Sequence, residues 1–213
     1  STSRRQRQMC IRDSIKAATF TPQTCMRIAD IYKEAGLPDG VINIVTCSRN
    51  EAEIFLSHPD IKGITFVGST SVGKHIYSQA AASGKRVQAL CEAKNHALVL
   101  EDAPIERTAA GIINASFGCA GERCMALPVV VVQESIADEL VAAIVKKAKE
   151  LKVGPAYDKT TGLGPVVNAK HRESVVKWIE KGIEEGAEIV LDGRNVTVEG
   201  FENGFYLGPT ILD

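Results

Sequence analysis

The segment Phe117-Gly-Cys-Ala-Gly-Glu-Arg-Cys-Met-Ala126 sets a thiol, Cys124, after a Gly-Glu turn, beside a guanidinium and ahead of small and apolar residues. A thiol becomes an effective nucleophile when nearby cations or a helix N-terminus favour its thiolate. Arg123 and the backbone donors of such a turn could serve both ends. Cysteine is also among the residue types most often buried, so on this stretch alone a packed structural role for Cys124 stays open.

A second stretch with chemical potential is Ile61 to His75, which reads as a strand, then Gly68-Ser69-Thr70-Ser71-Val72-Gly73-Lys74-His75, then a helix. Glycine at a strand-to-helix turn lets backbone approach a phosphate, and the helix start offers N–H donors and partial positive charge. Two glycines five apart followed by Lys nearly satisfy a P-loop, but His75 stands where a hydroxyl should reach magnesium. Ala97-Leu98-Val99-Leu100-Glu101-Asp102 could imitate the apolar strand with terminal acid that partners a P-loop. A nucleoside triphosphatase, a dinucleotide site and a plain glycine turn are therefore all open here; the glycine pattern is not the usual Rossmann fingerprint.

Other polar clusters carry less. Lys94-Asn95-His96 is a polar triplet at a strand entrance, read as solvated or capping, although His near Cys suggests a thiol–imidazole pair. Glu92 reads as an exposed loop acid or a general base. Gly204-Phe-Tyr-Leu-Gly-Pro-Thr210 reads as structural, and Glu180, Glu184 and Glu185 with Lys177 and Lys181 as a solvated helix face. Six cysteines, at 10, 25, 47, 91, 119 and 124, sit in a chain rich enough in Val, Ile and Leu to need no disulfide staples. Cys119 reads as a small buried residue at a helix end, or as a second thiol able to cap Cys124 under oxidant. Its spacing from Cys124, with no accompanying His pair, does not resemble a zinc site, and no metal is expected.

The elements that must position these residues follow from periodicity. The 213 residues are 45% hydrophobic and 24% charged with net charge −1, which suits one or two globular domains and gives no whole-chain basic footprint for nucleic acid. No apolar run reaches the roughly 18 residues of a membrane span. The basic start lacks the apolar core of a secretory signal, and the expected location is cytoplasmic.

Residues 1–14 have no helical or strand period and read as a disordered arm foreign to the fold. Strands are expected at Ile15–Ala18, Val41–Val45, Ile64–Val67, Arg86–Leu90, Ala97–Leu100, Pro128–Gln133 and Glu188–Leu191. Helices are expected at Pro22–Ala35, Glu51–Ser57, Val72–Ser83, Ile105–Phe117, Ile136–Leu151 and His171–Gly186. Strand–helix alternation with short connections predicts an α/β fold with a parallel, two-faced sheet. The best internal boundary falls near Cys91 to Asn95.

Several of these segments together resemble the aldehyde dehydrogenase superfamily: Ile64-Thr-Phe-Val-Gly-Ser-Thr-Ser-Val-Gly73, Ala115 to Ala126, and Gly204 to Leu212. Arg86-Val-Gln-Ala-Leu-Cys-Glu-Ala-Lys-Asn-His96 is similar to the CoA-acylating methylmalonate-semialdehyde dehydrogenase branch. The resemblance runs from about Ile15 to Asp213. It implies half of a Rossmann-type NAD domain over 15–92, followed by part of the α/β catalytic domain over 93–213. It further implies NAD-dependent oxidation of methylmalonate or malonate semialdehyde to an acyl-CoA, with NAD as cofactor and coenzyme A as cosubstrate. Cys124 would be the nucleophile, forming a thiohemiacetal and then a thioester, and Arg123 would hold the substrate carboxylate. Gly68 and Ser69 would contact the pyrophosphate and Val72 would pack the adenine. Cys91 would lie near the nicotinamide and Lys16 near the adenosine ribose.

Departures from the family pattern matter as much. Where hydrolytic relatives carry the Glu that activates water, 34 residues before the nucleophile, this chain has Leu90. Leu takes no proton, which favours thiolysis by CoA. Glu92 stands where Gly is usual, and could share the face of Leu90. Thr19 replaces the acid that usually holds ribose hydroxyls, which leaves the preference for NAD over NADP open. Family members are about twice as long or more, so the chain is expected to be a partial one, inactive alone, from an oligomeric parent. Two alternatives stand: a hydrolytic enzyme with Glu92 as base and a free-acid product, or a catalytically dead nucleotide-binding homologue.

Overall fold

In a computed structural model, which describes residues 12–213, the strands pair two by two into four two-stranded sheets. In chain order the elements are β1 (Asp13–Lys16), α1 (Pro22–Glu34), β2 (Ile42–Val45), α2 (Arg49–Ala52), α3 (Ile54–Ser57), β3 (Gly63–Val67), α4 (Thr70–Ala82) and β4 (Arg86–Leu90). They continue with β5 (His96–Val99), α5 (Ile105–Phe117), β6 (Val129–Val132), α6 (Ala137–Lys149), α7 (Ala169–Glu184), β7 (Ile189–Leu191) and β8 (Ile211–Leu212). β1–β2, β3–β4 and β5–β6 are parallel ladders. Parallel neighbours need a crossover, and α1, α4 and α5 lie within the three crossovers. Contacts cluster into two compact units that divide between Glu92 and Ala93.

In the first unit, β3 and β4 alternate exposed and half-buried residues. Register places Ile64 opposite Val87 and Phe66 opposite Ala89, so the four share one face. That face is backed by α4, which buries Gly73 and Ala80. α1 buries none of its residues, and its Ile28 and Ile31 are exposed.

In the second unit the core joins Val99 of β5 to Ala109, Ile112 and Ile113 of α5 and to Leu140, Ala143, Ile144 and Ala148 of α6. These positions recur at three- and four-residue spacing, the stripe an amphipathic helix buries. α6 also carries Asp138 and Glu139 in its first turn and Lys146, Lys147 and Lys149 in its last, matching its dipole. Leu140 is the largest side chain that is fully enclosed among the described residues. On the other face of the ladder, the register partners Leu98 and Val131 are 75% and 49% exposed.

Several sequence expectations shift. Asp13 and Ser14 belong to β1, paired with Ile42 and Asn43, so the first strand begins before the expected end of the arm; residues 1–11 lie outside the described residues. The expected helix over 51–57 is two short ones meeting at Glu53, the first opened by a reciprocal Ser48–Glu51 cap. β7 pairs antiparallel with β8, because the intervening residues 192–210 return as a loop instead of a helical crossover. β8 is only two residues long, too short for a periodicity signal. Among the described residues no helix is long and apolar enough to cross a membrane.

Candidate active site

α5 delivers the Cys124 segment. After Phe117 the chain enters a tight turn over Gly118–Gly121 in which Cys119 (φ 56°), Ala120 (φ 54°) and Gly121 (φ 72°) are all left-handed. Cys119 and Ala120 are the two non-glycine residues with positive φ among the described residues. Each costs about 1–2 kcal/mol relative to the right-handed region. Such strain persists only where surrounding contacts over-determine it.

Those contacts are specific. The Asn95 side-chain amide donates to the carbonyls of Cys124 (3.0 Å) and Ala126 (2.7 Å). Ser116 Oγ donates to the carbonyl of Leu127 at 2.6 Å, and the Leu127 N–H to the carbonyl of Ala115 at 3.2 Å. Glu122 accepts from the Val167 N–H at 3.3 Å and lies 3.1 Å from His171 Nε2. His171 sits in the first turn of α7, whose Asn168 cap accepts the His171 N–H at 2.9 Å. The loop is thus fastened from β5 on one side and from the start of α7 on the other, while Cys124 itself is exposed.

Arg123 folds back over the turn, where a methyl group added at Gly118 would come within 2.6 Å of its guanidinium. Among the described residues it makes no ion pair, so its charge is uncommitted to a carboxylate. Cys119 is exposed, not the small buried helix-end residue the sequence suggested. His96 Nδ1 meets the carbonyl of Lys94 at 2.9 Å, a local contact.

In the first unit the register of β3 on β4 brings Val67 opposite Leu90, and the Gly68 N–H donates to the Leu90 carbonyl at 3.1 Å. Gly68 and Ser69 are exposed and α4 starts at once after them. Ser69, the cap residue, makes no side-chain capping bond, and the first turn of α4 carries no acid of its own. The leading N–H groups of a helix have no intrahelical partner, so this turn can accept an anion. Gly73 is packed against Cys91, whose sulfur a methyl group at Gly73 would strike. Gly73, Lys74, Tyr77, Ser78, Ala89 and Cys91 line an open, mainly apolar hollow of about 310 Å³. Val72, in the first turn of α4, is half-buried. Lys16 Nζ donates to the carbonyl of Ala17 (3.0 Å) and to Thr19 Oγ1 (3.3 Å).

Glu92 does not hang free. Its carboxylate accepts a hydrogen bond from Thr70 Oγ1, at the first residue of α4.

The structure therefore gathers Gly68, Ser69, Val72 and Cys91 around one strand–turn–helix, with Leu90 and Glu92 at its edge. Arg123 and Cys124 lie together on the fastened loop of the second unit. Sequence reading missed Asn95, Ser116, Glu122 and His171 as supports of that loop. The polar triplet at the entrance of β5 was a signal for Asn95; its partners, 29 and 31 residues away, were not.

Residues 14–213 match the profile described as Aldehyde dehydrogenase family. Malonate-semialdehyde dehydrogenase 2 of Geobacillus kaustophilus (strain HTA426) is 50% identical over 200 residues, covering 93% of this chain and 41% of the relative. The crystal structure of a methylmalonate-semialdehyde dehydrogenase from Oceanimonas doudoroffii superposes with TM-score 0.88 at 41% identity, over 93% of this chain and 41% of that one. Betaine aldehyde dehydrogenase from Staphylococcus aureus, in complex with NAD+, gives TM-score 0.84 at 27% identity, over 93% and 40% of the two chains. This chain thus spans about 41% of the length of the curated relatives it matches.

Proposed function

The chain belongs to the aldehyde dehydrogenase family, and on that premise we propose that it forms part of an NAD-dependent, CoA-acylating semialdehyde dehydrogenase. The first unit is read as the second half of the NAD domain and the second unit as part of the catalytic domain. The substrate class is malonate or methylmalonate semialdehyde, in keeping with the names of its relatives. The observation that carries the reading is the exposed Cys124 at the crest of a loop whose carbonyls are pinned by Asn95.

The Cys124 thiolate adds to the aldehyde carbonyl carbon, forming a C–S bond while the C=O π pair moves to oxygen; the resulting thiohemiacetal oxyanion re-forms its C=O when the carbon loses hydride. Arg123, which has no carboxylate partner among the described residues, pairs with the one carboxylate of the semialdehyde and orients its aldehyde. NAD, when bound, supplies the acceptor for the hydride that the thiohemiacetal carbon loses. Gly68 and Ser69 fit its pyrophosphate, since the turn is exposed and α4 offers unpaired N–H groups. Val72 would pack the adenine, the backbone at Cys91 would border the nicotinamide, and Lys16 would sit at the adenosine ribose. Cys124 is left holding a thioester. Leu90 offers water no base, which favours CoA: its thiol gives up its proton to solvent, the thiolate attacks the acyl carbon, the acyl C–S bond to Cys124 breaks, and Cys124 leaves as thiolate.

A hydrolytic enzyme using Glu92 as base is less well supported, because that carboxylate is hydrogen-bonded to Thr70 at the start of α4. The isolated chain is proposed to be inactive, and its uncovered Leu98, Leu100 and Val131 favour self-association. In the intact protein that contains this chain, Cys124→Ala is expected to abolish aldehyde-dependent NADH formation while leaving NAD binding. Retained turnover, or free acid formed at an equal rate without CoA, would overturn the reading.

A further inference from the structure

Glu92 and the glycine turn stand in an unexpected relation. The turn that fits a pyrophosphate already has a carboxylate fastened at its helix start, through Thr70 Oγ1. No acid lies in the first turn of α4 and Ser69 leaves the cap unfilled, so Glu92 is the negative group that α4 holds at its N-terminus. It comes from beyond the end of β4, on the strand that also receives the Gly68 N–H. A carboxylate at a helix start is favourable, and for the same reason it opposes a second anion there.

We propose that Glu92 is an internal counter-anion that weakens dinucleotide binding at the Gly68–Ser69 turn. It stabilises α4 in the unliganded protein and repels the pyrophosphate on approach, and so sets the cofactor affinity of this chain. The inference rests on the reading of Gly68–Ser69 as the pyrophosphate site. It assigns Glu92 a role distinct from proton transfer: the group touches α4, and its effect on the cofactor is electrostatic and screened by salt.

Calorimetric titration of the intact protein with NAD at low ionic strength tests this. Glu92→Gly and Glu92→Gln are each expected to lower the dissociation constant about 2- to 5-fold, the range of one charge at a helix terminus. The gain should shrink toward unity in about 1 M salt. Adenosine, which has no phosphate, should bind all three proteins alike. The glutamine variant keeps the side chain's bulk, so its gain isolates charge from shape. Equal NAD affinity in wild type and both variants would overturn the proposal and leave the cofactor reading intact. An equal gain for adenosine would overturn it too, by showing relief of crowding. Failure of all three proteins to bind NAD would overturn the cofactor reading and the proposal with it.

Discussion

Asn95 and Cys124, 29 residues apart in sequence, are joined by a 3.0 Å hydrogen bond from the side-chain amide of the first to the backbone carbonyl of the second. The same amide nitrogen reaches the Ala126 carbonyl at 2.7 Å. One side chain at the entrance of β5 therefore fixes the backbone on both sides of Met125. The amide donates and both partners accept, so the arrangement has a polarity that a mutation can invert.

Asn95→Ala removes two donated bonds and should lower the stability of the chain by about 1–3 kcal/mol, each bond being worth about 0.5–1.5 kcal/mol. Asn95→Asp, which puts an acceptor against two acceptors, should cost more than Asn95→Ala. Urea denaturation ranks the three proteins. The rate of Cys124 alkylation in the folded state should change in both variants; identical alkylation rates would show that Asn95 does not govern the thiol's setting.

Leu90→Glu in the intact protein places a carboxylate at the position that the family resemblance assigns to a water-activating base. Free-acid formation in the absence of CoA is expected to rise by about 10²-fold or more, and with CoA present the ratio of free acid to acyl-CoA should rise as well. Unaltered product partition would remove Leu90 from the account.

Two surface carboxyls predict the acid limb of stability. Asp158 is held at about 2 instead of 3.8, first by the Lys152 ammonium and then by the Thr160 backbone N–H and hydroxyl. Asp192 is held at about 2 by the Arg194 guanidinium and then by the Arg194 N–H. Because both are depressed in the fold, the unfolded chain takes up their protons first. Their stabilisation is complete above about pH 4 and is lost as pH falls toward about 2. The Asp158→Asn, Asp192→Asn double variant should therefore lose less of its urea midpoint between pH 5 and pH 2.5 than wild type does.

Two glycines of the second unit should respond oppositely to alanine. Gly111 lies inside α5 with nothing near its missing side chain, so Gly111→Ala should stabilise by about 0.5–1 kcal/mol. Gly193 lies against the backbone of Gly208, whose N–H it accepts at 2.8 Å. Neither backbone can yield cheaply, and Gly193→Ala should cost at least about 1–3 kcal/mol. Thermal denaturation of the two variants beside wild type gives the signs.

Long periodic segments were legible in the sequence. Ile105–Phe117 and Arg86–Leu90 fall where their apolar spacing placed them, because burial of Ala109, Ile112 and Ile113 on one stripe agrees with local propensity. Short elements were not: α2 and α3 divide at Glu53 under the influence of a cap, and β8 exists only by pairing with β7. The candidate site divides in the same way. Cys124 and the Gly68 turn announce themselves through local composition. Asn95, Glu122 and His171 matter through partners tens of residues distant, and the Thr70–Glu92 contact spans 22 residues of unrelated sequence. Side-chain reach across a tertiary fold leaves no periodic trace in one sequence.

The run of left-handed backbone at Cys119, Ala120 and Gly121 also restricts what variation the turn can absorb. In a saturation library, survivors at position 120 should be concentrated in Gly, Asn and Asp, and the β-branched residues Val, Ile and Thr should vanish. Gly at 120 ought to raise the melting temperature. The neighbourhood of the thiol would thus be a place where drift is channelled by backbone shape before any demand from catalysis is felt.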